Sequence, residues 1–392
     1  MPATWRWARF DEVARVASNL VDPKDYPDAP HIAPNHIKSE TGQLLQWTSI
    51  AKDGVTSAKH RFFGGQVLYS KIRPYLAKVI VADFDGLCSA DMYPIESELQ
   101  PHYLKWWMLT REFTRRAAGE QARTVLPKIN VRALAALPIP IPLIGEQRRI
   151  VEILEDHLSR LDAALLDVSA AVASLGALRG RLRDRALDEA EAAGAPVSLG
   201  NLVKPGRKLA YGVLVPGPHV EEGVPLIRVG DLRGGVVRQT ELKRIAPEIS
   251  CKFPRTLLEG GEVLLSLVGT IGRTGVAPLE LAKANVARAV GVLPLRDGVD
   301  ARFVSLLLEA PRTNRALNGL AHEVARKTLN IEDVKSFKVP MPAPHEQRRI
   351  VVSADEALSA VRRLEATSTA TSFRASRLRR ALLDAAFSGR LM

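Results

Sequence analysis

The chain has 392 residues, with 55 Lys and Arg against 43 Asp and Glu, a formal charge of +12 and a pI near 9.8. Its length allows two or three domains, and 46% hydrophobic residues suffice for their cores. Two cysteines exclude a disulfide scaffold, the opening residues lack a signal pattern, and no apolar run reaches the ~20 residues of a membrane span. Cys88 and Cys251 therefore read as buried, reduced thiols of a cytoplasmic protein.

In chain order, residues 1–145 form the first basic stretch, with 18 basic and 14 acidic side chains. QVLYSKI and AKVIVADF read as strands, and His102–Ala118 as one helix. Two polar, basic segments flanked by Gly or Pro read as loops suited to nucleic acid. The first holds Lys71, Arg73, Tyr75 and Lys78, and the second Arg123, Thr124 and Lys128. Trp106 and Trp107 lie in an apolar helical pattern and read as core. The ladder Pro138-Ile-Pro-Ile-Pro142 has missing donors that bar it from a central strand or helix, so it leads out along an edge.

Residues 146–193 form the first long helix. Leu154, Leu158, Leu161, Leu165, Val168, Val172 and Leu175 keep 4-3 spacing, the mark of a coiled-coil seam. Some 45 helical residues would span ~65 Å, longer than a domain is wide. Residues 194–345 are the second basic stretch, 21 basic against 14 acidic. EVLLSLVG and AVGVLPL read as strands, and Pro311 breaks the helical run Ala301–Leu317. The glycines at 269, 272 and 275 fit no phosphate-loop pattern and mark a turn between strands. Its Thr270, Arg273 and Thr274, with Arg326, Lys327 and Thr328, are the second set of candidate DNA contacts. Residues 346–392 form the second long helix, with a smaller seam of Ile350, Ala354, Ala357, Val361, Leu364, Ser368, Thr371, Ala375, Leu378, Leu382 and Ala385.

The chain repeats itself. Glu146-Gln-Arg-Arg-Ile-Val recurs at Glu346, and Tyr103-Leu104, Gly119, Asn130-Val131 and Pro140 match Phe303-Val304, Gly319, Asn330-Ile331 and Pro340 at the same 200-residue offset. The reading is α+β: two similar β-rich mixed domains separated by two long antiparallel helices, a pseudo-twofold internal repeat. Two basic globular stretches suit a polyanion. No metal-ligand spacing, nucleophile or methyltransferase signature stands out. Asp231, Glu241 and Lys243 superficially resemble a metal-dependent nuclease site. A coiled-coil scaffold with merely solubilising ends is the other alternative.

Two variable basic domains, each closing on a proline ladder and Glu-Gln-x-x-Ile at a helix head, with Ala386-Phe-Ser-Gly-x-Leu391 at the end, resemble the specificity subunit of type I restriction–modification systems. The resemblance covers the whole chain. It implies two target recognition domains, each reading half of a bipartite and asymmetric sequence in double-stranded DNA. It implies two docked adenine methyltransferase subunits carrying S-adenosylmethionine. Restriction motor–nuclease subunits using ATP and magnesium join where present. It implies no catalytic centre or cofactor in this chain and no membrane. It assigns docking to Glu146, Gln147, Arg148 and Arg149, and to Glu346, Gln347, Arg348 and Arg349.

Overall fold

The computed structural model describes residues 4–119, 127–323 and 327–391. The chain divides into two compact units, one of Met1–Val168 with Thr369–Met392 and the other of Ser169–Ser368. Each unit thus holds one β-rich domain, the head of the long helix that follows it, and the tail of the other long helix. The helices themselves run Ile144–Ala193 and Pro344–Phe387.

The first unit centres on a four-stranded antiparallel sheet in the order Ala14–Val16, Met92–Ser97, Val67–Ser70, Val79–Val81. A five-stranded sheet packs a smaller core of Ile32, Phe62, Leu68 and Ile80. His102–Ala118 is two helices, not the single one expected. Pro101–Met108 ends and Arg111–Gly119 begins at Thr110, whose Oγ1 donates to Trp107 O and accepts from Phe113 N. In the second unit Pro311 makes the same break by starting Pro311–Gly319 at its first position. The second unit's main sheet has six strands, with Val263–Ser266 between Val290–Leu293 and Thr274–Val276. Trp106 and Trp107 are buried, as is Cys88, whose thiol burial pushes up to about 12. Cys251 is exposed, which corrects the expectation of two buried thiols.

Each ladder is a strand of a two-stranded sheet. Pro138–Ile141 pairs with Arg6–Arg9, and Lys338–Met341 with Ala195–Ser198. Pro138 and Pro140 are two apart, so both missing donors fall on one edge of the strand. Pro340 stands opposite Pro196, two residues that need no ladder hydrogen bond from each other.

Within each unit the long-helix segments run antiparallel. In the second unit Arg179 meets Glu365 at 3.0 Å and Glu189 meets Arg349 at 3.2 Å. In the first, Arg379 pairs with Asp162, and Leu154, Leu158, Leu383 and Ala386 share one core. The seam of the second helix departs from the expected heptad. Leu364 and Leu378 are 54% and 51% exposed, while their neighbours Glu365 and Arg379 face the partner helix. A straight helix of 3.6 residues per turn drifts ~20° per heptad against ~100° per residue, so a strict 3.5 count falls a residue behind over about ten turns, nearly the length of this helix. The terminal Ala386-Phe-Ser-Gly also has a local cause. Phe387 packs on Tyr103 and Trp107 at 5.2 and 5.3 Å between ring centroids, and Gly389 takes φ +76° to close the helix. Ile144–Ala193 is long and apolar enough, by length and composition, to cross a membrane. The same helix carries 7 basic and 10 acidic side chains over residues 146–193, and no run in it free of Asp, Glu, Lys and Arg reaches the ~20 residues of a span.

Candidate nucleic-acid interface

In the first unit, strand Val67–Ser70 ends in a loop whose backbone is fixed at several points. Ser70 is buried and its Oγ donates to Ile72 O at 3.0 Å. Arg73 N donates to Pro127 O at 2.8 Å, Ile129 N donates to Lys71 O at 2.9 Å, and Ile72 bridges Lys128. The two segments chosen as separate loops are therefore joined. Arg73 sits in the left-handed region at φ +48°, unusual without glycine, and Ala77 at φ +44°. The constraint holds an exposed guanidinium on a rigid turn, where it suits a bidentate base or phosphate contact.

The second unit repeats the arrangement with different residues. Ser266 Oγ donates to Thr270 O at 2.6 Å and accepts from Arg273 N at 2.8 Å. Gly269 N donates to Lys327 O, Leu329 N donates to Leu267 O, and Val268 bridges Thr328. Gly272 takes φ +86°, and a Cβ there would collide with the Asn314 amide, so only glycine serves.

The candidates separate by environment. Arg73, Tyr75, Thr270, Arg273 and Lys327 are exposed. Lys71 lies half-buried with its ammonium 5.2 Å from the Tyr93 ring, and Lys128 pairs with Asp91 at 3.1 Å. Lys78 is corrected: its Nζ donates to Pro34 O at 2.5 Å, and burial, with Arg73 nearby, lowers its pKa. Thr274 is corrected too, being buried with its hydroxyl 2.7 Å from Ser305 Oγ. Thr328 is half-buried. Arg123, Thr124 and Arg326 lie outside the described residues. Arg233, on a Gly-Gly hairpin lining a cavity with Arg273, was not singled out from the sequence. Its Arg-Gly-Gly run at the end of an apolar segment is the signal that was there.

The duplicated helix head has an internal role. Gln147 is buried, accepts from Gln100 N at 3.1 Å and donates to Pro142 O at 3.1 Å. Gln347 does the same with Asp300 N and Pro342 O at 2.9 Å each. These glutamines tie the long helix and the ladder to the N-cap of Pro101–Met108 in one unit and of Ala301–Leu308 in the other, so neither is offered to a partner, which corrects their place in the docking set. Glu146 half-buries itself while accepting from Leu143 N at 3.1 Å, and Glu346 pairs with Arg349 at 2.8 Å. Arg148, Arg149, Arg348 and Arg349 are exposed.

The nuclease-like trio serves the fold. Asp231 is 1% exposed, accepts from Arg228 N at 2.9 Å and pairs with Arg238 at 2.8 Å. Lys243 donates to Gly217 O at 2.5 Å, and the Glu241 side chain is 85% exposed. Among the described residues no group of three or more His, Cys, Asp or Glu is placed to hold a metal ion.

Residues 2–167 and 219–366 match the family model described as the type I restriction modification DNA specificity domain. The chain is 51% identical over 178 residues to the EcoDI type I restriction enzyme specificity subunit of Escherichia coli, covering 45% of this chain and 40% of that one. It is 29% identical over 286 residues to the EcoBI specificity subunit, covering 67% and 60%. The matches thus span 40% and 60% of the length of these two curated relatives, less than two thirds of either. Two solved structures share the fold over the whole chain. One comes from work on complex assembly and conformational transition of the type I R-M system (TM-score 0.72, 23% identity, 99% of that chain). The other is the HsdS subunit of Thermoanaerobacter tengcongensis (TM-score 0.52, 24% identity, 98% of that chain).

Proposed function

The chain belongs to the type I restriction–modification DNA specificity family, and on that premise we propose that it reads a bipartite, asymmetric DNA target, one half with each recognition domain. Its domains are residues 1–145 and 194–345, and its spacer helices 146–193 and 346–392. One observation carries the reading: each unit ties its first basic loop to the described end of its second, at Pro127–Ile129 in one and Lys327–Leu329 in the other, and the residues there differ. Arg73, Tyr75 and Lys71 serve one half-site, and Thr270, Arg273 and Lys327 the other. Different donors on a shared frame select different bases, which makes the target asymmetric.

The chain itself is non-catalytic in this reading, and the chemistry enters with its partners. Two methyltransferase subunits bring S-adenosylmethionine to an adenine in each half-site. Motor–nuclease subunits, where present, bring ATP and magnesium. The exposed Arg148 and Arg348 at the two helix heads support a duplicated docking point. So do the apolar side chains left on the long helices, Leu166 and Phe373 in one unit and Val172 and Leu364 in the other.

The test is base-resolved adenine methylation of a host genome expressing the partner methyltransferase, with this chain intact and deleted. A gapped two-part motif that disappears on deletion is the expected result. Unchanged methylation would remove the specificity reading.

A further inference from the structure

The 200-residue offset holds through the helical part of each domain, where it joins Leu109 to Glu309 and Thr114 to Asn314. In both units these residues line a cavity beside the long helix, of about 420 Å³ in the first and about 380 Å³ in the second. The linings differ in charge balance. The first sets the buried Leu109 and Leu383 beside three guanidiniums, of which Arg115 pairs with Glu112 and Arg380 with Glu40 and, among the described residues, only Arg111 is left over. The second gathers four guanidiniums, those of Arg179, Arg183, Arg233 and Arg273, around one carboxylate, Glu309.

That carboxylate is fully engaged. Glu309 Oε1 accepts from Gly235 N at 3.0 Å and Thr274 N at 3.3 Å, and Oε2 pairs with Arg183. Arg179 pairs with Glu365. Among the described residues, nothing pairs with the exposed guanidiniums of Arg233 and Arg273. The Nε of Arg183 is buried without a hydrogen-bond partner, and burial lowers the Arg183 pKa despite Glu309. The cavity therefore holds an uncompensated positive charge on fixed walls. Gly234 and Gly235, at φ +61° and +81°, shape the hairpin that presents Arg233.

We propose that this cavity is a seat for a backbone phosphate of the half-site read by the second recognition domain, with Arg233 as its donor, the Arg183–Glu309 pair as its floor and the base-reading Arg273 at its rim. The inference rests on the DNA reading above. Arg273 belongs to the loop assigned to that half-site, and phosphates flank the bases such a loop reads. A planar fork of N–H donors matches a phosphate's oxygens. The first cavity holds three guanidiniums against the two carboxylates of Glu40 and Glu112, and the second four against Glu309 alone, so the phosphate grip is stronger on the second half-site.

The experiment compares the assembled methyltransferase complex with its Arg233→Ala variant on cognate and scrambled duplexes across a salt series. Arg233 is exposed, so its loss leaves the fold intact. The expected result is weaker binding, about tenfold, on both duplexes alike, with the slope of log K against log salt reduced by about one. Unchanged affinity and slope in a complex that still selects its target overturns the seat and leaves the DNA reading standing. Loss of discrimination with unchanged affinity for the scrambled duplex makes Arg233 a base contact, and the seat falls. Wild-type complex with no salt-sensitive, selective binding overturns both. Inorganic phosphate is the last arm. If it raises the melting temperature of the wild type and not of Arg233→Ala, while DNA affinity is equal, the site takes free phosphate and the DNA assignment is overturned.

Discussion

Lys105 places an ammonium inside the first unit. It is 8% exposed, its Nζ lies 3.8 Å from the centroid of the Trp106 ring, and its pKa is lowered from 10.5 to about 8. Desolvation is the main cause, and Glu155 offsets it in part. Folding therefore disfavours the charged form. Between about 8 and 10.5 the unfolded chain binds more protons than the folded one, so this group's contribution to stability rises with pH across that window. Below it, the full cost of the buried charge is present. Lys105→Met keeps the volume and removes the charge, so the variant should be the more stable at neutral pH. Denaturant unfolding of both chains measures the difference. The wild type should gain about 2 kcal/mol on the variant between about pH 7 and about pH 9.5. A gap that stays constant with pH would show that Lys105 titrates normally. Comparison with the variant is needed because buried Tyr69 and Cys88, both raised by burial, push wild-type stability the other way in alkali.

The helix heads show how much of an element a sequence reveals. Repetition of Glu-Gln-Arg-Arg-Ile-Val located both long helices, and the proline spacing located the edge strands before them. What repetition could not separate is why each letter recurs. Gln147, Gln347, Ile150 and Ile350 are buried in their own units, whereas Arg148 and Arg348 face solvent. A partner's surface and a fold's own core leave the same mark on a repeat. Substitution separates them. Gln147→Ala or Gln347→Ala removes two buried hydrogen bonds and leaves a backbone donor unpaired. Each should lower stability by about 1–3 kcal/mol in denaturant unfolding, with DNA affinity of the folded complex unchanged. Arg148→Glu with Arg348→Glu should leave stability nearly unchanged and weaken assembly with the methyltransferase, read by size-exclusion chromatography or titration calorimetry. Normal assembly of that double variant would sink the docking assignment. The seam was legible in kind and missed in register, because heptad counting ignores the drift that turned Glu365 and Arg379 inward. The break at Thr110 was missed because a hydroxyl cap, unlike Pro311, has no strong signature in a helical run.

Across the molecule, the candidate site was legible as loops and not as environments. Lys78 and Thr274 look like Arg73 and Arg273 in sequence, being polar and beside turns. Only packing shows that one serves Pro34 O and the other Ser305. Arg233 was overlooked because its cavity is assembled from hairpin, loop and helix residues far apart in sequence. The division into two units gives a prediction that neither unit gives alone. Arg73 and Arg273 belong to different units, and their backbone N–H groups donate to different acceptors, Pro127 O and the Ser266 hydroxyl. Energies of sites without shared partners add. Arg73→Ala and Arg273→Ala should each cost about 1–3 kcal/mol of binding by the assembled complex. The double variant should cost the sum to within about 0.5 kcal/mol. Each single variant should relax the methylation motif in one half only. Equilibrium binding on duplexes altered in one half at a time, read beside the methylation motif, checks both statements. A loss of both halves from either single variant would mean that the two domains do not read independently. The asymmetric two-part target would then have to be given up in favour of one site that the whole chain reads at once.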